Sequence, residues 1–271
     1  MTMEQNSEFP TVLLTGATSG IGNELGQCFA TNGHRMVIVG RDRTTLADTA
    51  AQFLDLGSYH VRTIVADLSK PDGAEQVRAA VAEWGEHIDI LVNDAGQGVH
   101  GPFLDTELQS ELDIIQLNVA SVVQLTKTFL PGMVLRGKGR IVNLASIASY
   151  QPTPLLAVYA ATKAFILSFS DALRDELKHT AVTVTSVIPG ATDTDFFHKA
   201  GMEGTKAAKE VEDPAIIARI AYEALIKGES HAVAPGLAGT IVMSNLLPNR
   251  KVAAQAHEMM EPSQESREDH V

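Results

Sequence analysis

The sequence predicts an α/β fold: a single-domain, Rossmann-like, doubly wound parallel sheet with helices on both faces. Three observations predict it. Short Val/Ile/Leu runs alternate with helical stretches along most of the 271 residues. Those runs are nearly continuously apolar, the pattern of strands covered on both faces. A glycine-rich turn separates the first run from the first helix at residues 15–22, where open α/β sheets bind phosphate groups.

The elements follow in order. Val12-Leu13-Leu14 is the first strand, and Ile21, Leu25 and Phe29 share one face of the next helix. Met36 to Val39 is the second strand, followed by a helix from Leu46 to Leu56. Val61 to Val65 is the third, with a helix from Gly73 to Trp84, and Ile88 to Val92 is the fourth. One long helix from about Glu107 to Leu135 leads to a strand at Arg140–Leu144. A helix ending near His179, a strand at Val182–Val187, a helix from Pro214 to Lys227 and a strand at His231–Ala234 close the pattern. Residues 11–235 form one domain, after a flexible N-terminus at 1–10. Residues 191–213 lack strand character, 236–260 form a C-terminal extension, and the polar tail 261–271 is expected to be flexible.

Composition excludes several function classes. A net charge of −12 repels nucleic acid and anionic membrane surfaces, and no run of five Lys/Arg residues offsets it. No apolar run approaches the roughly 18–20 residues of a membrane span. The single cysteine, Cys28, rules out an internal disulfide and any multi-cysteine metal site, and no metal is expected. Its helical context suits a small buried hydrophobe better than a reactive thiol, which fits a reducing compartment. MTMEQNSEFP contains no apolar signal core, so a cytoplasmic location is expected.

The loops after the strands carry the chemistry. Glycines in Thr15-Gly16-Ala17-Thr18-Ser19-Gly20-Ile21-Gly22 permit a tight turn and close approach of backbone N–H groups to a pyrophosphate. The second strand ends Val39-Gly40-Arg41-Asp42. An NAD site normally has a carboxylate about 20 residues past the glycines. Here that slot holds Gly40, followed by Arg41, whose guanidinium suits a 2′-phosphate. NADP(H) is the preferred cofactor on this reading; NAD(H) stays open because Asp42 could turn toward the ribose. Asp67 either accepts from an adenine amino group or caps the next helix. In Asn93-Asp94-Ala95-Gly96, small residues let the backbone lie against a flat cofactor. In VYAATKAF, Tyr159 and Lys163 lie one turn apart on one helix face.

Together these residues resemble the compact, single-domain branch of the short-chain dehydrogenase/reductases. TGATSGIG is similar to that family's T-G-x-x-x-G-x-G turn, and NDAG to its N-N-A-G, with Asp94 replacing the second Asn. Asn118, Ser146, Tyr159 and Lys163 fall at its catalytic positions, and Pro189-Gly190 matches its P-G. The resemblance implies a cofactor held by Gly16, Thr18, Ser19, Gly20, Ile21 and Gly22, then by Arg41, Asp67 and Leu68. It adds Asn93, Ala95, Gly96, Tyr159, Lys163, Pro189 and Gly190, with Thr192 or Thr194. It implies a small carbonyl or alcohol substrate, a loop over that substrate at 191–213, and a homodimer or homotetramer.

The residue types suit the chemistry. A free tyrosine, with a pKa near 10, exchanges protons poorly at neutrality, and a nearby Lys⁺ or oxidised nicotinamide would lower it. Ser146 would donate to the carbonyl oxygen, and Asn118 would hold a water relaying protons to Lys163. The expected activity is reversible NADPH-dependent reduction of a ketone or aldehyde. A non-catalytic NADP(H)-binding regulator and an NAD-dependent alcohol dehydrogenase remain alternatives. Phe196, Phe197 and Met202 either wall a substrate pocket or pack a core, and His100, Phe103, Tyr150 and Gln151 could face substrate. The extension Leu237–Met260 suits an amphipathic helix packed on a partner subunit.

Overall fold

The structure, a computed structural model, describes residues 9–209 and 211–262. Seven strands form one parallel sheet in the order β3-β2-β1-β4-β5-β6-β7. They are β1 (Thr11–Thr15), β2 (Arg35–Gly40), β3 (His60–Val65), β4 (Ile90–Asn93), β5 (Gly139–Leu144), β6 (Val182–Ile188) and β7 (His231–Val233). Between them run α1 (Gly20–Thr31), α2 (Arg43–Asp55), α3 (Gly73–Glu83), α4 (Leu108–Ile115), α5 (Ser121–Leu135), α6 (Ala157–Glu176), α7 (Phe196–Ala200) and α8 (Pro214–Lys227). Two more helices follow β7: α9 (Leu237–Leu246) and α10 (Asn249–Met260).

Strand period builds the two layers. Successive side chains of β1 point to opposite faces, so Val12 and Leu14 join a core with Leu25 and Phe29 of α1 and Ala221 and Leu225 of α8. Leu13 joins the opposite core, with Val77 of α3, Leu125 of α5 and Leu173 of α6. Each fully buried side chain of this kind contributes about 1.5–3 kcal/mol. Local signals set the helix ends: Asp213 caps α8 by accepting from the Ala215 N–H at 2.8 Å, and Gly228 ends it at φ 71°.

The predicted long helix at 107–135 is α4 and α5 joined by a π-helical turn, Gln116–Ala120, which contains Asn118. The extra residue in that turn rotates the face of the helix and buries Asn118. Residues 1–8 and 263–271 of the expected flexible termini lie outside the described residues. Phe9 is ordered against Tyr59, with ring centroids 5.4 Å apart, and Pro262 bridges to Thr205. Because β2 and β3 lie to one side of β1 and β4 to the other, the loops after β1 and β4 diverge and open a crevice at the carboxyl ends of the strands.

Candidate active site

The crevice is a cavity of about 750 Å³ that gathers residues from the loops after β1 to β6 and from helices including α6, α7 and α10. At one end lies the turn between β1 and α1. Gly16 and Gly20 take left-handed backbone, with φ of +76° and +55°. A Cβ at Gly20 would meet Thr194 Cγ2 at 2.7 Å, and one at Gly16 would collide with the Asp94 carboxyl. Ser19, the residue before α1, makes no side-chain cap, leaving the first N–H groups of the helix available to an anion. Bare backbone in this shape fits a dinucleotide pyrophosphate.

Further along, Arg41 is exposed and lines the cavity, as do Asp67 and Leu68. Asp42 does not line it. Its carboxylate is committed to the start of α2, accepting from Thr45 N at 2.7 Å and Thr45 Oγ1 at 2.8 Å. These bonds hold its carboxyl below the usual range. Asp67 accepts from the N–H and the hydroxyl of Ser69 at 3.0 and 2.7 Å, which closes a local turn; the residue before α3 is Asp72, so Asp67 does not cap that helix, and it faces the cavity.

At the other end, α6 presents Tyr159 and Lys163 toward Ser146. The Ser146 oxygen accepts from Ala148 N at 3.1 Å, while the Ser149 hydroxyl accepts from Ser146 N at 3.2 Å and donates to the Lys163 carbonyl at 2.8 Å. This capping box on the turn Ile147–Tyr150 leaves the Ser146 proton uncommitted to backbone and within reach of the Tyr159 oxygen in the cleft. Lys163 is buried, and its ammonium donates to the Leu144 carbonyl at 2.6 Å, 5.7 Å from the Tyr159 ring centre.

Burial pushes Tyr159 up to about 12; a hydrogen bond with Ser146 lowers it only in part, and the Asp94 charge raises it further. Taking a phenolate out of water costs more than one neighbouring hydroxyl returns. Burial also brings Lys163 down to about 8, against the opposing pull of Asp94. Tyr159 is therefore held as a neutral phenol, the form that donates a proton.

Of the predicted residues, Gly16, Thr18, Ser19, Gly20, Ile21, Arg41, Asp67, Leu68, Ala95 and Gly96 line this cavity. So do Ser146, Tyr159, Lys163, Pro189, Gly190, Thr192 and Thr194. Gly22, Asn93 and Asn118 stand behind the wall. Gly22 lets α1 close on the Gly16 carbonyl, which a Cβ would strike. Asn93 Nδ2 donates to Asn143 Oδ1 at 2.8 Å, and Asn143 Nδ2 to Ser170 Oγ at 2.8 Å, a buried polar chain across the sheet. Asn118 accepts from Gln97 N and donates to Gln97 O and Thr162 Oγ1, each at 3.0 Å. Both amide protons are thus committed to protein groups, and the side chain braces the loop after β4 against α6.

Thr15, Asn143 and Ser149 were not singled out from the sequence. Thr15 Oγ1 donates to Val92 O and accepts from the N–H groups of Asp94 and Ala95, fixing the loop after β4. Its place in TGATSGIG was the available signal; for Asn143 and Ser149 there was none. Phe196, Phe197 and Met202 line the cavity and also pack together, so both readings of them hold. Gln151 faces it, whereas Phe103 is 64% exposed outside it and Tyr150 packs against the core beneath α6. In the extension, the end of α10 places Met259 and Met260 in the cavity wall.

The sequence profile of the short chain dehydrogenases matches residues 10–204, spanning both the glycine turn and the Tyr159–Lys163 pair. The chain belongs to this family. A short-chain dehydrogenase from Sphingobium yanoikuyae in complex with NADPH superposes with a TM-score of 0.80 at 30% identity, covering 95% of this chain and all of that one. An uncharacterized oxidoreductase of Staphylococcus epidermidis is 32% identical over 205 residues, 73% of this chain and 87% of that one. A very-long-chain 3-oxoacyl-CoA reductase of Bos taurus is 35% identical over 181 residues, 65% of this chain and 57% of that one. As a short-chain dehydrogenase, the protein is an oxidoreductase acting on CH–OH or C=O groups with a nicotinamide dinucleotide. No helix among the described residues is long and apolar enough to cross a membrane.

Proposed function

We propose that this short-chain dehydrogenase reduces a ketone or aldehyde to an alcohol with NADPH, reversibly, with Tyr159 as the acid/base. One observation carries the reading: a neutral phenol, a serine hydroxyl and a buried ammonium converge in the cleft whose far end is the glycine cradle. The bound nicotinamide supplies the hydride. Tyr159 gives its proton to the carbonyl oxygen, and the free Ser146 proton supports that oxygen as charge builds on it. Lys163, held by Leu144, keeps a positive charge beside the phenol and lowers the cost of the phenolate left behind. Asn118 acts on this account as a brace; a water-relay role is limited to the remaining lone pair of its carbonyl oxygen.

NADPH is preferred over NADH because Arg41 faces the cavity while Asp42 is turned away into its helix cap. The NADPH complex of the Sphingobium relative supports the same choice. A homodimer or homotetramer is supported by an exposed apolar face: Leu108, Leu112 and Ile115 on one side of α4 and Phe165 on α6, each over 40% exposed. A reducing cytoplasmic setting suits the single free thiol of Cys28. The test is Tyr159→Phe, followed by NADPH absorbance with an accepted carbonyl. The rate should fall about 10²–10⁴-fold with NADPH binding retained; undiminished turnover overturns the mechanism.

A further inference from the structure

The chamber above Tyr159 is closed by the far end of the chain. Met259 and Met260, the last residues of α10, line the same cavity as the catalytic phenol. Met260 packs with Leu156, Met202 and Phe196, and the Phe196 ring centre lies 5.0 Å from that of Tyr159. Four ties hold this wall in place. His100 Nε2 lies 2.8 Å from the Met260 carbonyl and must donate, since a carbonyl only accepts. Lys206 N donates to Glu261 O at 3.2 Å, Thr205 bridges to Pro262, and Lys206 Nζ pairs with Glu258 at 3.3 Å.

His100 also donates its backbone N–H to Ala200 O at 3.0 Å, so one residue secures both α7 and α10. Next to the wall, Leu155 adopts φ 65°, a strained conformation for a branched residue, and its carbonyl accepts from Gly101 N at 2.9 Å. That strain fixes Leu156, almost fully buried, against the chamber. Lys199, which lines the same cavity, has its ammonium 3.3 Å from Asp195.

We propose that α10 is part of the substrate site, clasped by His100, and that the chamber it closes selects a carbonyl compound with a bulky, uncharged, apolar body. This rests on the carbonyl-reductase reading above. Thioether side chains adapt to irregular apolar shapes, whereas a charged substituent would be desolvated against them without a partner. His100 is a positioning residue: it touches the wall, not the reacting atoms.

The test uses the full chain, NADPH and two ketones, the fused-ring 2-tetralone and the small 2-butanone. The natural chain should favour 2-tetralone in kcat/KM; equal or reversed preference overturns the proposal. Met259→Ala/Met260→Ala and His100→Ala should each raise the KM for 2-tetralone about tenfold, several-fold more than they raise the KM for 2-butanone. His100→Gln keeps an N–H donor and should restore part of the loss. If both ketones shift alike, or neither shifts, the wall has no selective role. Should the alanine variants melt below the assay temperature, Met260→Gln, of similar length but polar, should raise the KM for 2-tetralone more than that for 2-butanone. Tight NADPH binding with no carbonyl turned over by the natural chain would overturn the reductase reading and this one with it. Turnover with unselective variants would overturn only the substrate assignment.

Discussion

The two ends of the cleft are built from different material. The cofactor end consists of glycine backbone, helix N–H groups and short polar side chains drawn from the loops after β1, β2 and β3, and its bonds are mostly local. The substrate end consists of large apolar side chains brought together over long separations; His100 and Met260 are 160 residues apart. Tyr159, Ser146 and Lys163 stand where the two meet. A phosphate needs N–H donors in one fixed arrangement, which a short motif can encode. An apolar body needs only complementary volume, which many sequences supply.

Four experiments probe that division, in descending order of expected effect. Ser146→Ala removes the donor at the junction and should lower kcat about 10²–10³-fold while NADPH affinity holds. A parallel loss of cofactor binding would show that the two ends are not separable there. Arg41→Ala acts only at the cofactor end. A charge-assisted hydrogen bond of about 1.5–3 kcal/mol corresponds to roughly tenfold or more in NADPH affinity, with NADH little affected; equal losses with both would remove the basis for NADPH preference.

Gly22→Ala places a methyl against the Gly16 carbonyl and the Asp94 carboxyl. It should destabilise the fold by about 1–3 kcal/mol, read as a lower melting temperature and reduced by saturating cofactor. The smallest effect belongs to Asp94, which is lodged between the glycine turn and Lys163. Burial, partly opposed by the Lys163 charge, pushes its carboxyl from 3.8 up to about 7. A pKa raised on folding means the folded state holds the proton more tightly. The stabilising contribution is therefore full below about pH 4 and is lost as pH rises through about 7. Above that pH a carboxylate also repels a pyrophosphate at the turn. Asp94→Asn should flatten the melting temperature and NADPH affinity across this range; an unchanged pH profile would assign the dependence to other groups.

Much of the cofactor end was legible because each requirement names a residue type. Left-handed backbone at the turn requires glycine, which Gly16 and Gly20 supply. The Tyr159–Lys163 pair was legible because helical spacing puts both on one face. The shift of Tyr159 to about 12 was not, since it depends on how tightly the cleft encloses the ring. The Asn93–Asn143–Ser170 chain was equally hidden, because it depends on the β4–β5 register that sets Asn93 opposite Asn143. The placement of Met259 and Met260 in the cavity wall was not legible, since a polar helix pattern does not say what its apolar edge covers.

By itself, the sequence determined the order of strands and helices, the parallel sheet, the glycine turn after β1 and the one-turn spacing of Tyr159 and Lys163. These follow from periodicity and from backbone chemistry that acts over a few residues. Only the tertiary structure decided that Asn118 is a brace, that Asp42 turns away from the cleft, and that Met259 and Met260 wall the chamber above Tyr159. Each of those outcomes depends on which distant surface a side chain meets. Apolar contact is non-directional, so nothing local records the partner in advance.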